Sequence, residues 1–332
     1  MIYVTQKERI LGLFKQYKKL SVSTLYELCQ DISKTSVRGR VSELYSDGQI
    51  DTSGENTYTI TEKSDLSELS QLRAENEALK KQLHDTSQRE SITDYTFKGN
   101  QIKFGLVTDT HLGSLKANEE LLNSAYDIFE QEGIEKVFHA GDITDGEHVY
   151  RGQEFELKII GFEAQLEYLV NTYPERESIE THFILGNHDE SFWRRAGADI
   201  GLHIAKKRTD MIYLGMCEAD VNIQMKDAQI KLRLWHPTLG TAYAISYQSQ
   251  RYIESLSGGK KPNILAIGHF HKAEYLFYRN IHAIQGGCCE FQTRFMASKK
   301  IAAMMGFWVI TADINEDGIV NITPKFYPDY ES

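Results

Sequence analysis

The chain has 332 residues, of which 41% are hydrophobic, and it carries a formal net charge of −10. This length suits more than one domain, because domains usually contain about 100–200 residues. The negative charge excludes a generally basic surface that binds nucleic acid by charge alone, so any such contact must be local. The sequence shows neither a signal-peptide pattern nor an apolar run of the roughly 18 residues that cross a bilayer. We therefore expect a cytoplasmic protein without a membrane partner.

Residues 1–62 predict a small domain of three helices and a β-hairpin. Apolar residues recur at helical spacing from Ile10 to Tyr17, and a short second helix covers residues 22–29. The third helix begins near Ser33 or Thr35, which can cap it, and ends at Gly48. Two β-segments follow within residues 50–61. This order resembles a winged helix-turn-helix domain.

The third predicted helix carries a basic cluster. The resemblance implies that this helix would enter a DNA major groove, with Lys34, Arg38 and Arg40 as the DNA-binding residues. Residues 1–62 contain eight basic and eight acidic side chains, so the domain as a whole has no net charge to attract DNA. A role in protein contacts or dimerisation therefore stays open beside DNA binding.

Residues 63–86 show the pattern of a short coiled coil. An apolar seam with alternating spacings of three and four residues runs through Leu69, Leu72, Asn76, Leu79 and Leu83. An asparagine at such a seam position pairs well with its own copy across a parallel two-stranded coil, which predicts a homodimer. The alternative is a single amphipathic linker helix that packs on its own chain. Residues 87–100 are polar and aperiodic, and they predict a linker.

Residues 101–332 have the pattern of an α/β domain. Short apolar runs predict strands, and the loop after each strand contains polar residues that can bind a metal. Amphipathic segments between some of the strands predict helices. The predicted strands are 103–108, 136–140, 182–185, 231–235 and 264–267, and the predicted helices are 119–131 and 155–171.

The loops after these strands contain five motifs rich in aspartate, asparagine and histidine. They are Asp109-Thr-His111, Gly141-Asp142, Gly186-Asn187-His188-Asp189, His236 and Gly268-His269-Phe-His271. Carboxylate oxygen and imidazole nitrogen are ligands for manganese, iron and zinc, and the lack of cysteine favours the harder metals. Two metals about 3.5–4 Å apart share a bridging carboxylate and can activate one water for attack on a phosphate ester.

Together the five motifs resemble the calcineurin-like metallophosphoesterase superfamily, over about residues 103–326. The resemblance implies a four-layer α-β-β-α sandwich of two mixed sheets that binds two divalent ions. We expect Mn²⁺, with Fe²⁺ or Zn²⁺ as alternatives. By the same resemblance, one metal would be held by Asp109, His111 and His271, the other by Asn187, His236 and His269, and Asp142 would bridge them.

The resemblance also assigns the acid chemistry. His188 would be the general acid that protonates the leaving oxygen, and Asp189 would orient its ring. Asp189 could instead, or in addition, cap the helical segment that starts there. Asp145, in the same loop as Asp142, is a candidate to reach the substrate phosphate.

Two of the motifs indicate the class of substrate. Residues 108–113 are similar to the opening motif of the double-strand-break repair exonuclease branch, and Gly-Asn-His-Asp points away from phosphoprotein substrates. The leading hypothesis is a metal-dependent DNA nuclease that is positioned by its winged helix and works as a dimer. The alternatives are a nucleotide or other small-molecule phosphodiesterase or phosphatase with a regulatory N-terminal domain, and a DNA-binding regulator with a vestigial phosphoesterase domain.

Overall fold

A computed structural model of the chain describes residues 5–60, 92–97, 99–225, 228–238, 240 and 244–330. The chain divides into two compact units, with the boundary between Leu83 and His84. The predicted coiled coil over residues 63–86 lies outside the described residues, so the homodimer stays a prediction. None of the described helices is long and apolar enough to cross a membrane.

The N-terminal unit contains the three predicted helices and the predicted hairpin. Its elements are α1 (Gln6–Tyr17), β1 (Lys19–Ser21), α2 (Val22–Leu28), α3 (Lys34–Ser46), β2 (Ile50–Gly54) and β3 (Thr57–Ile60). The hydroxyl of Ser33 accepts a hydrogen bond from the Ser36 N–H and so caps α3. The sequence did not predict β1, which pairs antiparallel with β3 and completes a sheet of order β1-β3-β2. A strand of three residues is too short to show an alternating pattern.

The larger unit contains two six-stranded sheets and the helices that connect their strands. Its strands are β4 (Ile92–Thr96), β5 (Gln101–Val107), β6 (Lys136–Ala140), β7 (Glu180–Leu185), β8 (Met211–Met216), β9 (Glu218–Gln224), β10 (Gln229–Trp235), β11 (Ile264–Ile267), β12 (Ala273–Tyr278), β13 (Ile281–Gly286), β14 (Gly306–Asn315) and β15 (Gly318–Pro328). Its α-helices are α4 (Glu119–Gln131), α5 (Phe162–Thr172), α6 (Glu190–Ala196), α7 (Ile200–Lys207), α8 (Tyr247–Ser255) and α9 (Arg294–Lys299).

The two sheets pack face to face around one apolar core. Their strand orders are β15-β14-β5-β6-β7-β8 and β12-β13-β11-β10-β9-β4, and both mix parallel with antiparallel pairs. Side chains from the first sheet, such as Phe104 and Phe138, meet side chains from the second, such as Val221 and Leu232, and all four are fully buried. A second core covers the outer face of the first sheet with α4, α5 and α7. The α/β fold with two mixed sheets is confirmed.

Two parts of the prediction are wrong. The linker predicted for residues 87–100 contains β4 (Ile92–Thr96), an edge strand that pairs parallel with β9. The Tyr95 ring packs against the rings of Phe138 and His182, a contact that the surrounding polar residues conceal in the sequence. The helix predicted for residues 155–171 begins only after Gly161, whose φ of 102° lies outside the helical region.

Candidate metal centre

The loops that follow five strands supply the candidate ligands. Asp109 follows β5, Asp142 follows β6, Asn187 follows β7, His236 follows β10 and His269 follows β11. Strands β5, β6 and β7 run parallel to one another, and so do β10 and β11. Because the carboxyl ends of parallel strands lie at one edge of a sheet, these loops meet at one end of the sandwich.

Most of the candidate ligands sit on strained backbone. A positive φ is found at Asp109 (52°), His111 (44°), Asp142 (52°), His269 (78°) and His271 (51°). Residues with a Cβ rarely adopt this region, and such strain clusters at functional sites. The tight turns direct these side chains into the space between the two sheets' loops. The fold thus holds them in place at a cost in stability.

The first group of candidate ligands is Asp109, His111 and His271, all buried. The Nε2 atoms of His111 and His271 lie 3.2 Å apart, and Nε2 of His271 lies 3.4 Å from Oδ1 of Asp109. The Asp109 carboxylate also accepts the backbone N–H of His269 at 2.9 Å, which joins the loop of one sheet to that of the other. The structure therefore brings together the three residues that the sequence assigned to one metal.

The second group of candidate ligands is Asn187, His236 and His269. Oδ1 of Asn187 lies 2.8 Å from Nδ1 of His269 and 3.3 Å from Nε2 of His236. Nδ1 of His236 lies 2.8 Å from the Ala140 carbonyl, so this nitrogen carries a proton and Nε2 is the atom that faces the other candidate ligands.

Asp142 lies between the two groups. Its Oδ2 is 3.1 Å from Nε2 of His236 and 3.9 Å from Nε2 of His111, while its Oδ1 accepts the His188 backbone N–H at 2.8 Å. One oxygen therefore faces candidate ligands of both metals while the other anchors the neighbouring loop.

The chemistry of the donors fits two divalent cations. The donor atoms are carboxylate and amide oxygens and imidazole nitrogens. Within each of two sets the donor atoms lie within 4.8 Å of one another: one set is Asp109, His111 and His271, and the other is Asp142, His236 and His269. Buried carboxylates crowded together are unfavourable unless positive charge compensates them. Divalent cations would supply that charge.

Nearby carboxylates favour the protonated form of two candidate ligands, His236 and His111. Burial by itself would lower the pKa of His236, but the carboxylates of Asp142 and Asp109 raise it to about 9. For His111, burial is likewise outweighed, chiefly by Glu290, and its pKa rises to about 9. Binding of a cation must therefore release protons from these rings, which makes the metal affinity fall as the pH falls.

His188 faces the same centre, but Asp189 does not orient it. Nδ1 of His188 lies 2.7 Å from the carbonyl oxygen of Asp145 and 3.2 Å from its Oδ1. The Asp189 carboxylate instead accepts the backbone N–H groups of Ile143, Thr144 and Gly186, at 3.1, 2.8 and 2.8 Å, and it makes no capping bond to α6. Both roles suggested for Asp189 are therefore wrong, since its side chain points into the Asp142 loop and holds that loop against the β7 loop.

Asp145, and not Asp189, lies beside the His188 ring. Its Oδ1 lies 3.0 Å from Nδ1 of His111 as well as 3.2 Å from Nδ1 of His188, so one carboxylate supports a candidate ligand and the candidate acid. The side-chain amide of Gln153 donates to the Asp145 carbonyl at 2.7 Å and to Oδ2 at 3.2 Å, which fixes the carboxylate in turn. The sequence marked Asp145 only as a possible phosphate contact.

Glu290 is a site residue that the sequence did not reveal. It is buried, accepts the Ser114 hydroxyl at 2.8 Å, and places Oε2 3.9 Å from Nε2 of His111. It follows β13, which pairs parallel with β11, so its loop returns to the same end of the sheet. Its place in the loop after a strand is the one signal that could have indicated it, because Gly-Gly-Cys-Cys-Glu contains none of the motifs used to predict the other ligands.

A pocket of about 360 Å³ opens onto this centre. Candidate ligands form its floor, and aromatic side chains, which include Tyr150, Phe270 and Phe295, contribute to its wall. The pocket therefore has room for a phosphate against the candidate ligands and for a larger group against the aromatic wall.

The sequence is similar to that of a known family and to those of several curated proteins. The family of calcineurin-like phosphoesterases matches residues 102–273. The chain is 24% identical over 240 residues to the DNA polymerase II small subunit of Halobacterium salinarum, over 60% of this chain and 46% of that protein. It is 25% identical over 246 residues to the DNA polymerase II small subunit of Methanothermobacter thermautotrophicus, over 60% of this chain and 50% of that protein. The chain thus spans about half the length of the curated relatives it matches.

Among solved structures, that of an archaeal phosphodiesterase aligns with 68% of this chain and 100% of its own, at 16% identity and a TM-score of 0.36. The matched family segment covers the strands and loops that carry Asp109, Asp142, Asn187, His236 and His271. The chain therefore belongs to the family of calcineurin-like phosphoesterases.

Proposed function

We propose that this protein is a two-metal phosphodiesterase that hydrolyses DNA. The observation that carries the proposal is the position of Asp142, with one carboxylate oxygen between a histidine of each candidate ligand group. When bound, two divalent ions would polarise the phosphate and lower the pKa of a water for attack. We infer that Mn²⁺ is the native metal, because the donor set contains oxygen and nitrogen but no thiolate.

The chain's own residues supply the proton and the alignment. Nδ1 of His188 is engaged by Asp145, so Nε2 is the atom that would carry a proton to the leaving oxygen. Burial would lower the pKa of His188, but the negative charges of Asp142 and Asp145 raise it to about 10, which favours the protonated ring. Asp145 orients this ring and that of His111 together.

DNA is favoured as the substrate by two observations. The curated relatives are named as small subunits of a DNA polymerase. In addition, α1 to β3 have the order and the antiparallel sheet expected of a winged helix-turn-helix domain, with α3 as the helix that would enter the major groove. The relatives' being subunits also favours a protein partner for this chain, beside or instead of a second copy.

The predicted DNA contacts on α3 are not equivalent. Arg38 is exposed, whereas Nη1 of Arg40 lies 2.5 Å from Oε1 of Glu43, and the Lys34 ammonium lies 5.5 Å from the centre of the Tyr26 ring. We therefore infer that Arg38 has the charge most available to a phosphate, while Arg40 must exchange Glu43 for DNA.

Replacement of both Arg38 and Arg40 with alanine tests the DNA-binding role. If each contacts one phosphate, the slope of the logarithm of affinity against that of salt concentration should become shallower by about 2. The measurement is a salt series of DNA binding by fluorescence anisotropy, with hydrolysis of a small chromogenic ester as the control for an intact centre. An unchanged slope would remove these arginines from the DNA interface.

Replacement of Asp145 with asparagine tests the orienting role. The variant keeps the shape but loses the charge that supports His111 and His188, so kcat should fall about 10- to 100-fold. The matched control is Asp127→Asn, which removes a carboxylate that pairs with Arg176 at the surface. If Asp145→Asn retained the kcat of the control, Asp145 would have no orienting function.

A nucleotide or another small phosphodiester is the second candidate substrate, with the N-terminal unit in a regulatory role. The pocket of about 360 Å³ with aromatic walls favours it, because a single nucleotide fits such a space. Manganese-dependent cleavage of end-labelled single-stranded, nicked and linear duplex DNA, beside bis-p-nitrophenyl phosphate, separates the two. If the ester is hydrolysed while the DNA stays intact, the substrate is a small phosphodiester and not DNA. Sedimentation of the full chain would test the predicted dimer separately.

A further inference from the structure

Two stacked aromatic rings form part of the pocket wall beside His188. The ring centroids of Tyr150 and Phe295 lie 4.4 Å apart, with an angle of 24° between the planes. The Tyr150 centroid lies 6.2 Å from that of His188, and all three residues line the same pocket. Phe295 nevertheless keeps 37% of its surface exposed. A large exposed aromatic ring that is held in place next to a reaction centre is available for a ligand.

One buried carboxylate holds both rings. Oε2 of Glu156 accepts the Tyr150 hydroxyl at 2.7 Å, and Oε1 accepts the backbone N–H of Arg294 at 2.6 Å. Arg294 begins α9, the helix that carries Phe295, so Glu156 ties the Tyr150 loop to that helix. Glu156 is only 8% exposed. The aromatic wall is therefore fixed before any ligand arrives, which lowers the entropic cost of binding.

We propose that Phe295, supported from behind by Tyr150, is a stacking site for an unpaired nucleobase of the substrate. This inference rests on the proposed function and gives it a substrate class, namely nucleotide esters whose base is free to leave a duplex. A base inside a duplex has both faces covered by stacked neighbours, whereas a base at a single-stranded end can place one face on Phe295. Stacking on an aromatic side chain tolerates every base, so this site confers a preference for nucleic acid without a preference for sequence.

Binding of a nucleotide and of its sugar phosphate tests the stacking site. The ligands are deoxyadenosine 5′-monophosphate and 2-deoxyribose 5-phosphate, titrated calorimetrically into the full chain with Mn²⁺. The wild-type chain should bind the nucleotide about tenfold more tightly, because one stacked base contributes about that factor. Phe295→Ala should lose this preference by weakening the nucleotide alone, and Phe295→Leu should lose most of it.

The matched control is Phe277→Ala on β12, since Phe277 is also an exposed phenylalanine, at 56%, but does not line the pocket. This variant should keep the wild-type preference. A tenfold preference that survives in Phe295→Ala would overturn the proposal, and so would a tyrosine-phosphorylated peptide that binds as tightly as the nucleotide and depends equally on Phe295.

Hydrolysis of bis-p-nitrophenyl phosphate by the same wild-type preparation separates the two levels of inference. Hydrolysis without a preference for the nucleotide would overturn the stacking site and leave the phosphodiesterase standing. A preference that depends on Phe295, without hydrolysis of any ester, would establish the stacking site and overturn the proposed function.

Discussion

Asp142→Asn should reduce kcat for phosphodiester hydrolysis by about a thousandfold. Oδ2 of Asp142 lies 3.1 Å from Nε2 of His236 and 3.9 Å from Nε2 of His111, so a neutral amide there removes the negative charge shared by both ligand groups. Lewis-acid stabilisation of the transition state contributes several kcal/mol, and about 1.4 kcal/mol corresponds to each tenfold change in rate.

Asparagine is the suitable replacement because it isolates the charge. The φ of residue 142 is 52°, a conformation that asparagine tolerates better than most residues with a Cβ. The amide oxygen can still accept the His188 backbone N–H, which Oδ1 of Asp142 accepts at 2.8 Å. The variant should therefore fold, and a thermal melt of the metal-free chain checks that it does.

Metal content is the decisive measurement for Asp142→Asn. After equilibration with Mn²⁺ and removal of free ion, elemental analysis should find two ions per wild-type chain and fewer than two per variant chain. The control is Asp127→Asn at the surface, which should retain both ions. Two tightly held ions in Asp142→Asn would show that this carboxylate does not bridge the two metals. The proposed arrangement of the ligands would then be wrong.

His188→Ala should lower kcat by about a hundred- to ten-thousandfold, the usual contribution of a positioned general acid. The reason is that its ring, held at Nδ1 by Asp145, is the proton donor that we propose for the leaving oxygen. Unlike Asp142→Asn, this variant should keep its full metal content, because we propose no ligand role for His188.

The leaving group distinguishes an acid from a residue that only shapes the pocket. Release of p-nitrophenolate needs little protonation, so His188→Ala should impair hydrolysis of bis-p-nitrophenyl phosphate much less than hydrolysis of a dinucleotide with a deoxyribose leaving group. Equal losses on both substrates would assign His188 to phosphate binding and leave the proton donor to be found elsewhere.

The seven candidate metal ligands could be predicted because each of them lies in a short loop after an apolar strand and because the five motifs together resemble those of a known family. A strand that ends in Gly-Asp142 or in Gly-His269-Phe-His271 combines a fold signal with a chemical signal over a few residues. Such local patterns survive without knowledge of the contacts between distant segments. The same holds for α1 to α3, whose apolar periodicity and Ser33 cap are local as well.

The tertiary structure alone decided which carboxylates support these ligands. Asp145 and Asp189 both lie close to candidate ligands in the sequence, yet the chain path turns Asp145 towards the rings of His111 and His188 and turns Asp189 into the loop backbone. Glu290 reaches the centre because β13 pairs parallel with β11, and there it lies beside His111, from a distant part of the chain.

The tertiary structure also decided the position of β4 and the stack of Tyr150 on Phe295. The sequence by itself determined the types of residue and their local geometry, whereas contacts between different loops, such as those of Asp145 with His111 and of Glu290 with Ser114, determined their partners. Those partners follow from how the sheets and loops pack against one another, which no local pattern encodes.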